Sequence, residues 1–251
     1  MPENSQSTEN PFCSRLPVGV NLSGIVEERL LPEYGAVFVT AAVPPPTIVF
    51  KDEDAVTAFQ NSLEIGSANI GGIDLELQKP AMDALLGAAG EASKQGFSIT
   101  PRGADSARRN YLGTVELWAS RIEPALDHWV SKVRMTSEQA AHIRSLSPFE
   151  QVPVVFELEK DEIWFAKDLS KSVIYSVAPP GTSQHLAMLA FDVAEFDDPA
   201  VRKILARHGW FQTVVSDLPH FTYLGVEEGE LPALGLKRIE YLEREFWVPD
   251  I

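Results

Sequence analysis

Between Asp105 and Arg134 the apolar residues Tyr111, Val115, Trp118, Ile122, Leu126, Trp129 and Val133 recur at spacings of three and four. That period matches one face of an amphipathic helix and no strand. The chain therefore needs a core large enough to cover a long helical stripe. Pro124 lies inside the stripe and predicts a kink or a break there, because proline has no N–H to donate to the preceding turn. A second stretch, Leu77 to Gln95, places Ala81, Ala84, Leu85, Ala88, Ala89 and Ala92 on one face, with Gly96 where a C-terminal cap belongs. Shorter helices are predicted over Asp54–Gln60, behind the capping box Thr136-Ser-Glu-Gln139, and over Pro199–Arg207 with Asp197 or Asp198 as N-cap.

Strand-like runs are all short. Gly35–Val43 ends at Pro44-Pro45-Pro46, and Thr47–Phe50 and Phe97–Thr100 follow. Val152–Leu158 and Ile163–Ala166 read as a hairpin. Val173–Ser176, Ala187–Val193, Phe211–Val215 and His220–Leu224 complete the set, the last two flanking a turn at Ser216-Asp217-Leu218-Pro219. Ile65–Gly72, with three glycines, reads as loop, and residues 231–251 give no clear pattern. Helices early and short strands late predict an α+β fold.

Composition narrows the function classes. Lys and Arg number 21 against 36 Asp and Glu, a net charge of −15. Binding to nucleic acid or anionic lipid needs clustered positive charge, so neither is the expected partner. The one cysteine, Cys13, excludes an internal disulfide framework and any cysteine-rich zinc module. No uncharged apolar run approaches the ~18 residues needed to span a bilayer. The first dozen residues carry no basic segment followed by an apolar one, which implies either a cytoplasmic chain or an export signal outside this sequence.

Of the five histidines, His128, His142 and His208 sit in or at the end of helical patterns and read as structural. The other two have different neighbours. Ser183-Gln-His185 is followed seven residues on by Asp192, and later by Asp217-Leu-Pro-His220. A hydrolytic zinc site needs three imidazole or carboxylate ligands and one open position. It also needs a group that is not a ligand to take a proton from water and pass it to the leaving amine. His185, Asp192 and His220 can be the ligands and Asp217 the base. A spacing of seven puts His185 and Asp192 on opposite faces of a straight strand, so a turn between them is expected. The alternative, on the residues alone, is that His185 and His220 are unrelated loop histidines.

At these residues the sequence resembles the zinc D-alanyl-D-alanine carboxypeptidases and dipeptidases, whose fold is shared with the hedgehog signalling domain. Their pattern is Ser-x-His-x-x-Gly-x-Ala-x-Asp, then a helix and a Gly-aromatic pair, then Glu-x-x-His. Here it reads Ser183-Gln-His185-Leu-Ala-Met188-Leu-Ala190-Phe-Asp192, then Gly209-Trp210, then Asp217-Leu-Pro-His220. Ala178-Pro-Pro-Gly181 also suits the approach to the serine, and Ile99-Thr-Pro-Arg102-Gly103 suits the family's upstream arginine segment. The resemblance covers roughly residues 75 to 225.

The resemblance implies a small antiparallel sheet carrying the metal and flanked by helices, within a peptidase domain over 61–251. Residues 1–60 then form an N-terminal extension that it does not explain. It implies one zinc ion on His185, Asp192 and His220, with Asp217 as general base. Arg102 is implied to polarise the scissile carbonyl or hold the substrate carboxylate, and Ser183 to hydrogen-bond the substrate or orient a ligand. The implied substrate is a peptidoglycan peptide ending in D-Ala, met on the periplasmic or wall-facing side. Two positions depart from the pattern. Met188 replaces the glycine, which implies a different backbone or pocket floor. Asp217 replaces the glutamate, with a reach about 1.5 Å shorter. The second departure keeps open another function, a zinc-containing but catalytically inactive module that binds wall peptides or a protein partner.

Overall fold

The computed structural model describes residues 10–251; residues 1–9 of the expected N-terminal extension lie outside them. Helix α1 (Ile25–Tyr34) runs into a 3-10 turn (Gly35–Val39), and α2 spans Glu53–Asn61 behind an Asp52 cap. A hairpin of β1 (Ile65–Ile70) and β2 (Ile73–Gln78) leads into α3 (Lys79–Lys94). Three helices follow: α4 (Tyr111–Ser131), α5 (Ser137–Ser145) and α6 (Pro148–Lys160). The last third holds β3 (Ala190–Asp192), α7 (Pro199–Arg207), β4 (Trp210–Phe211) and β5 (His220–Tyr223). A second hairpin closes the chain, β6 (Leu236–Tyr241) with β7 (Arg244–Pro249). Strands β3, β5 and β4 form an antiparallel sheet with β5 in the centre, so the architecture is α+β with small antiparallel sheets. Among the described residues no helix is long and apolar enough to cross a membrane.

Several predicted elements take another form. Gly35–Val43 and Val173–Ser176 are not strands; each contains a 3-10 turn. Thr47–Phe50 and Phe97–Thr100 form no strand, although Pro101 bridges to Val193. Val152–Leu158 belongs to α6 rather than to a hairpin, because Ser147 and Glu150 form a capping box and Pro148 pre-sets the first turn. Ile65–Gly72 is not a loop. Its glycines 71 and 72, at φ +61° and +84°, supply the tight turn of the β1–β2 hairpin. Helix α4 starts at Tyr111, capped by the Asn110 side chain, and continues unbroken through Pro124. Burial of Trp118, Ile122, Ala125 and Leu126 along that helix outweighs the single hydrogen bond that proline removes.

Two hydrophobic clusters hold these elements together. One gathers α4, α5 and α6 around Trp118, Phe156 and Phe165. The other surrounds the three-stranded sheet, where Leu85 of α3 and Phe191 of β3 share a core with Phe12, Phe38 and Val56. Helix α1 is fixed to α6 by Arg29, whose guanidinium donates to the buried Glu159 carboxylate (2.8 Å) and to Ser172 Oγ (2.7 Å).

The approach to Ser183 is equally constrained. Gly181 sits at φ +80°, its carbonyl accepts from the Phe50 N–H, and a Cβ there would lie 1.9 Å from the Phe50 carbonyl oxygen. Gly181→Ala is expected to destabilise the fold by about 2–4 kcal/mol through strain and overpacking. Urea denaturation of the two proteins measures it, and an unchanged midpoint contradicts the prediction.

Candidate metal centre

Strands β3 and β5 pair so that Asp192 and His220 are direct cross-strand partners. His185 arrives from a 3-10 turn (Gln184–Ala187) that ends at Met188 in the left-handed region, φ 56° and ψ 34°. The expected bend between His185 and Asp192 is therefore present. Met188 adopts there the conformation that a glycine enters freely, at a cost of about 1–2 kcal/mol for a side-chain-bearing residue.

The three side chains converge. His185 Nε2 lies 3.2 Å and His220 Nδ1 3.3 Å from Asp192 Oδ1, and one ligand atom from each residue lies within 4.8 Å of the others. His185 and His220 are buried and Asp192 nearly so. The imidazole planes stand almost perpendicular, at 79°.

Hydrogen bonds on the far side of each ligand decide which atoms carry protons. His185 Nδ1 is 2.7 Å from the Ala107 carbonyl, which can only accept, so Nδ1 holds the hydrogen and Nε2 presents a lone pair. Gln184 Nε2 donates to the Tyr34 carbonyl (2.9 Å), which makes its Oε1 the acceptor. His220 Nε2 therefore donates to Gln184 Oε1 (2.9 Å), an oxygen that Thr222 Oγ1 also approaches, and His220 Nδ1 presents a lone pair. Asp192 Oδ2 accepts from Arg109 Nη2 at 2.6 Å, which leaves Oδ1 facing the two imidazoles. Burial pushes His185 toward its neutral form. Burial also pushes the Asp192 carboxyl up, but the positive charge that the two imidazoles carry when protonated holds it well below the usual carboxylate range.

Three electron-pair acceptors thus face one another without a donor between them. His185 Nε2 and Asp192 Oδ1 are buried with no hydrogen-bond partner. Such a constellation is costly by itself and is satisfied by a cation. Each of the three side chains is also oriented from behind, by Ala107, Gln184 or Arg109, as outer hydrogen-bond partners orient metal ligands. The buried His185–Asp192–His220 group could hold a metal ion.

The two shifts make the metal-free protein acid-sensitive. Between the folded pKa of His185 and its ordinary value near ~6.5, the unfolded chain binds a proton that the folded chain does not. Stability therefore falls as pH drops through that window. Asp192 adds a second loss as pH falls below about 4 toward its depressed folded pKa. Urea midpoints of chelator-treated protein at pH 7 and pH 5 test this, and a midpoint equal or higher at pH 5 contradicts it.

The cluster opens onto a cavity of about 260 Å³ whose walls include His185, His220, Ser183, Asp217, Arg109 and Arg121. Asp217 stands on the turn before β5, where its carbonyl accepts from the His220 N–H at 3.1 Å. Ser183 lies at the start of the turn that carries His185 and is buried. Arg102 is placed differently from the other expected residues. Its N–H donates to the Asp192 carbonyl (3.1 Å), but its guanidinium lies over the Phe196 ring, 6.0 Å from the centroid, and it is not among the cavity's walls.

The guanidinium groups at the cavity are Arg109, committed to Asp192, and Arg121. Arg121 donates to Ser176 Oγ and Ser120 Oγ (both 2.8 Å) and has no carboxylate partner among the described residues. Sequence reading missed Gln184, Arg109 and Arg121. Gln184 carried a usable signal, because it stands between Ser183 and His185. Arg121 carried none, since an arginine beside a helical stripe reads as solvated surface. Comparison with protein-family models, with curated proteins and with solved structures finds no match to this chain, so the His–Asp–His geometry is itself the ground for assigning a function.

Proposed function

We propose that this protein is a zinc-dependent peptidase that hydrolyses a peptide ending in D-Ala, as found in peptidoglycan, in the manner of a D,D-carboxypeptidase. The observation that carries the reading is the convergence of His185 Nε2, Asp192 Oδ1 and His220 Nδ1, the first two buried without a hydrogen-bond partner, beside a cavity that Asp217 also lines. Two imidazoles and one carboxylate are a ligand set suited to catalytic zinc, which keeps a fourth position open. When bound there, zinc supplies Lewis acidity, polarising a carbonyl and lowering the pKa of water toward ~7.

The chain's own groups supply the rest. Asp217 accepts the proton of the attacking water and returns it to the leaving amine as the amide C–N bond breaks. Arg121, charged and without an acidic partner among the described residues, suits the free carboxylate of a peptide C-terminus. Ser183, which also lines the cavity, takes the role of hydrogen-bonding the peptide backbone. The choice of a D-Ala terminus rests on the resemblance carried by Ser183 through His220, and with it the hedgehog-like form of the fold and a wall-facing location.

The test is metal content of the purified protein together with release of D-Ala from a cell-wall pentapeptide by the zinc-loaded protein. Stoichiometric zinc with release of D-Ala supports the reading. Stoichiometric zinc with no turnover on any wall peptide supports the second reading, an inactive zinc-bearing module that binds wall peptide or a protein partner. One observation favours that alternative, the short Asp217 side chain in place of a glutamate.

A further inference from the structure

Glu33 is a buried carboxylate in the last turn of α1, 8% exposed, and no Lys or Arg pairs with it among the described residues. Its place is unfavourable twice over. Burial penalises the charge, and the negative end of the helix dipole lies beside it. Among the described residues, the hydrogen bonds it accepts come from one residue. Ser216 donates to Glu33 Oε1 through its backbone N–H (3.1 Å) and through its hydroxyl (2.6 Å). Ser216 immediately precedes Asp217, in the turn closed by the Asp217 N–H donating to the Val214 carbonyl (3.2 Å).

The next residue of α1 reaches the other side of the cluster. The Tyr34 carbonyl accepts from Gln184, whose Oε1 in turn holds His220. Tyr34 itself lines the cavity together with Ser216 and Asp217. Two consecutive residues of the N-terminal segment thus fasten both the turn carrying the candidate base and the amide behind a candidate ligand.

We propose that Glu33 is a positioning residue, which fixes the Ser216–Asp217 turn and thereby sets where the Asp217 carboxylate stands relative to the His185–Asp192–His220 cluster. The proposal rests on the peptidase reading for its catalytic consequence. A base one methylene shorter than glutamate has less freedom to adjust its reach, so the backbone beneath it must be held. A carboxylate that accepts two hydrogen bonds from adjacent donors of one residue holds it more firmly than a neutral acceptor does.

The experiment uses the full chain loaded with zinc. In Glu33→Ala, kcat is expected to fall by about 100-fold, with KM and zinc stoichiometry unchanged. The Ser216 amide is expected to exchange with solvent at least about tenfold faster. Glu33→Gln, which keeps an acceptor at the same place, is expected to recover kcat to within about fivefold of the wild type. In an Asp217→Ala background, Glu33→Ala is expected to lower kcat no further, as for two residues acting through one group. Unchanged exchange at Ser216 overturns the proposal, as does an equal loss of kcat in the Asp217→Ala background or a loss of zinc in step with kcat. If Glu33→Ala does not fold, Ser216→Ala removes the hydroxyl donor alone, and a kcat within twofold of wild type then overturns it. If the wild-type protein releases no D-Ala, the peptidase reading fails by itself, and the exchange rate at Ser216 still decides whether Glu33 holds the turn.

Discussion

Asp217→Ala is expected to lower kcat for D-Ala release by about 10²–10⁴-fold while leaving the metal bound. The reason lies in the division of labour around the cavity. His185, Asp192 and His220 each have their second polar atom tied to the protein, and none of those ties passes through the Asp217 side chain. On the proposed reading, removing the carboxylate therefore takes away the proton carrier and leaves the His185–Asp192–His220 group in place. Kinetics on a wall pentapeptide, with metal analysis of the same preparation, measures both. Full activity in Asp217→Ala places the base elsewhere, and lost zinc makes Asp217 part of the metal's support. Asp217→Glu adds one methylene and separates the two functional readings. A large gain in rate puts the natural protein near the inactive end, whereas a loss shows that the surrounding turn is built for the shorter acid.

Chelation of the metal is expected to lower stability by about 3–4 kcal/mol when the ion was present at 100–1,000 times its dissociation constant. For a chain of this length that corresponds to a fall in Tm of roughly 10 °C. The magnitude follows from mass action, and the site gives it a local cause. Without a cation, His185 Nε2 and Asp192 Oδ1 stay buried and unpaired, 3.2 Å apart. His185→Ala removes one ligand, so the difference in Tm between zinc-loaded and chelator-treated protein is expected to vanish in that variant. Calorimetry of the four samples checks this; a metal-dependent Tm surviving in His185→Ala locates the ion elsewhere.

The parts of this molecule that were legible in the sequence are those specified by local chemistry. The Tyr111–Trp129 stripe, the Thr136 capping box and the Asp198 cap all mark helices that are present. The candidate cluster was legible because histidine is scarce here and its polar neighbours stand out. Misreadings came where tertiary packing decides. Val152, Val155 and Phe156 favour a strand by residue type, yet they are fully buried in a helix whose start is encoded at Ser147 and Pro148. Glycines suggested a loop at 65–72, but two of them are the turn of a hairpin and Gly66 packs against Met82 of α3. The residues flanking Arg102 point to a site arginine, but the cavity instead faces arginines at 109 and 121. Glu33 could not have been found at all, since its significance lies in a hydrogen bond across 183 positions of chain.

Asp192 and His220 face each other across two neighbouring strands, one of them only three residues long. So short a ladder contributes few hydrogen bonds of its own, and sliding β5 by a single residue would turn His220 to the opposite side of the sheet. A cation gripped by both side chains is compatible with one alignment only. A metal ion bound there would then act as a proofreader of strand pairing during folding: chains that closed out of step could not capture it, and those that captured it could no longer slip.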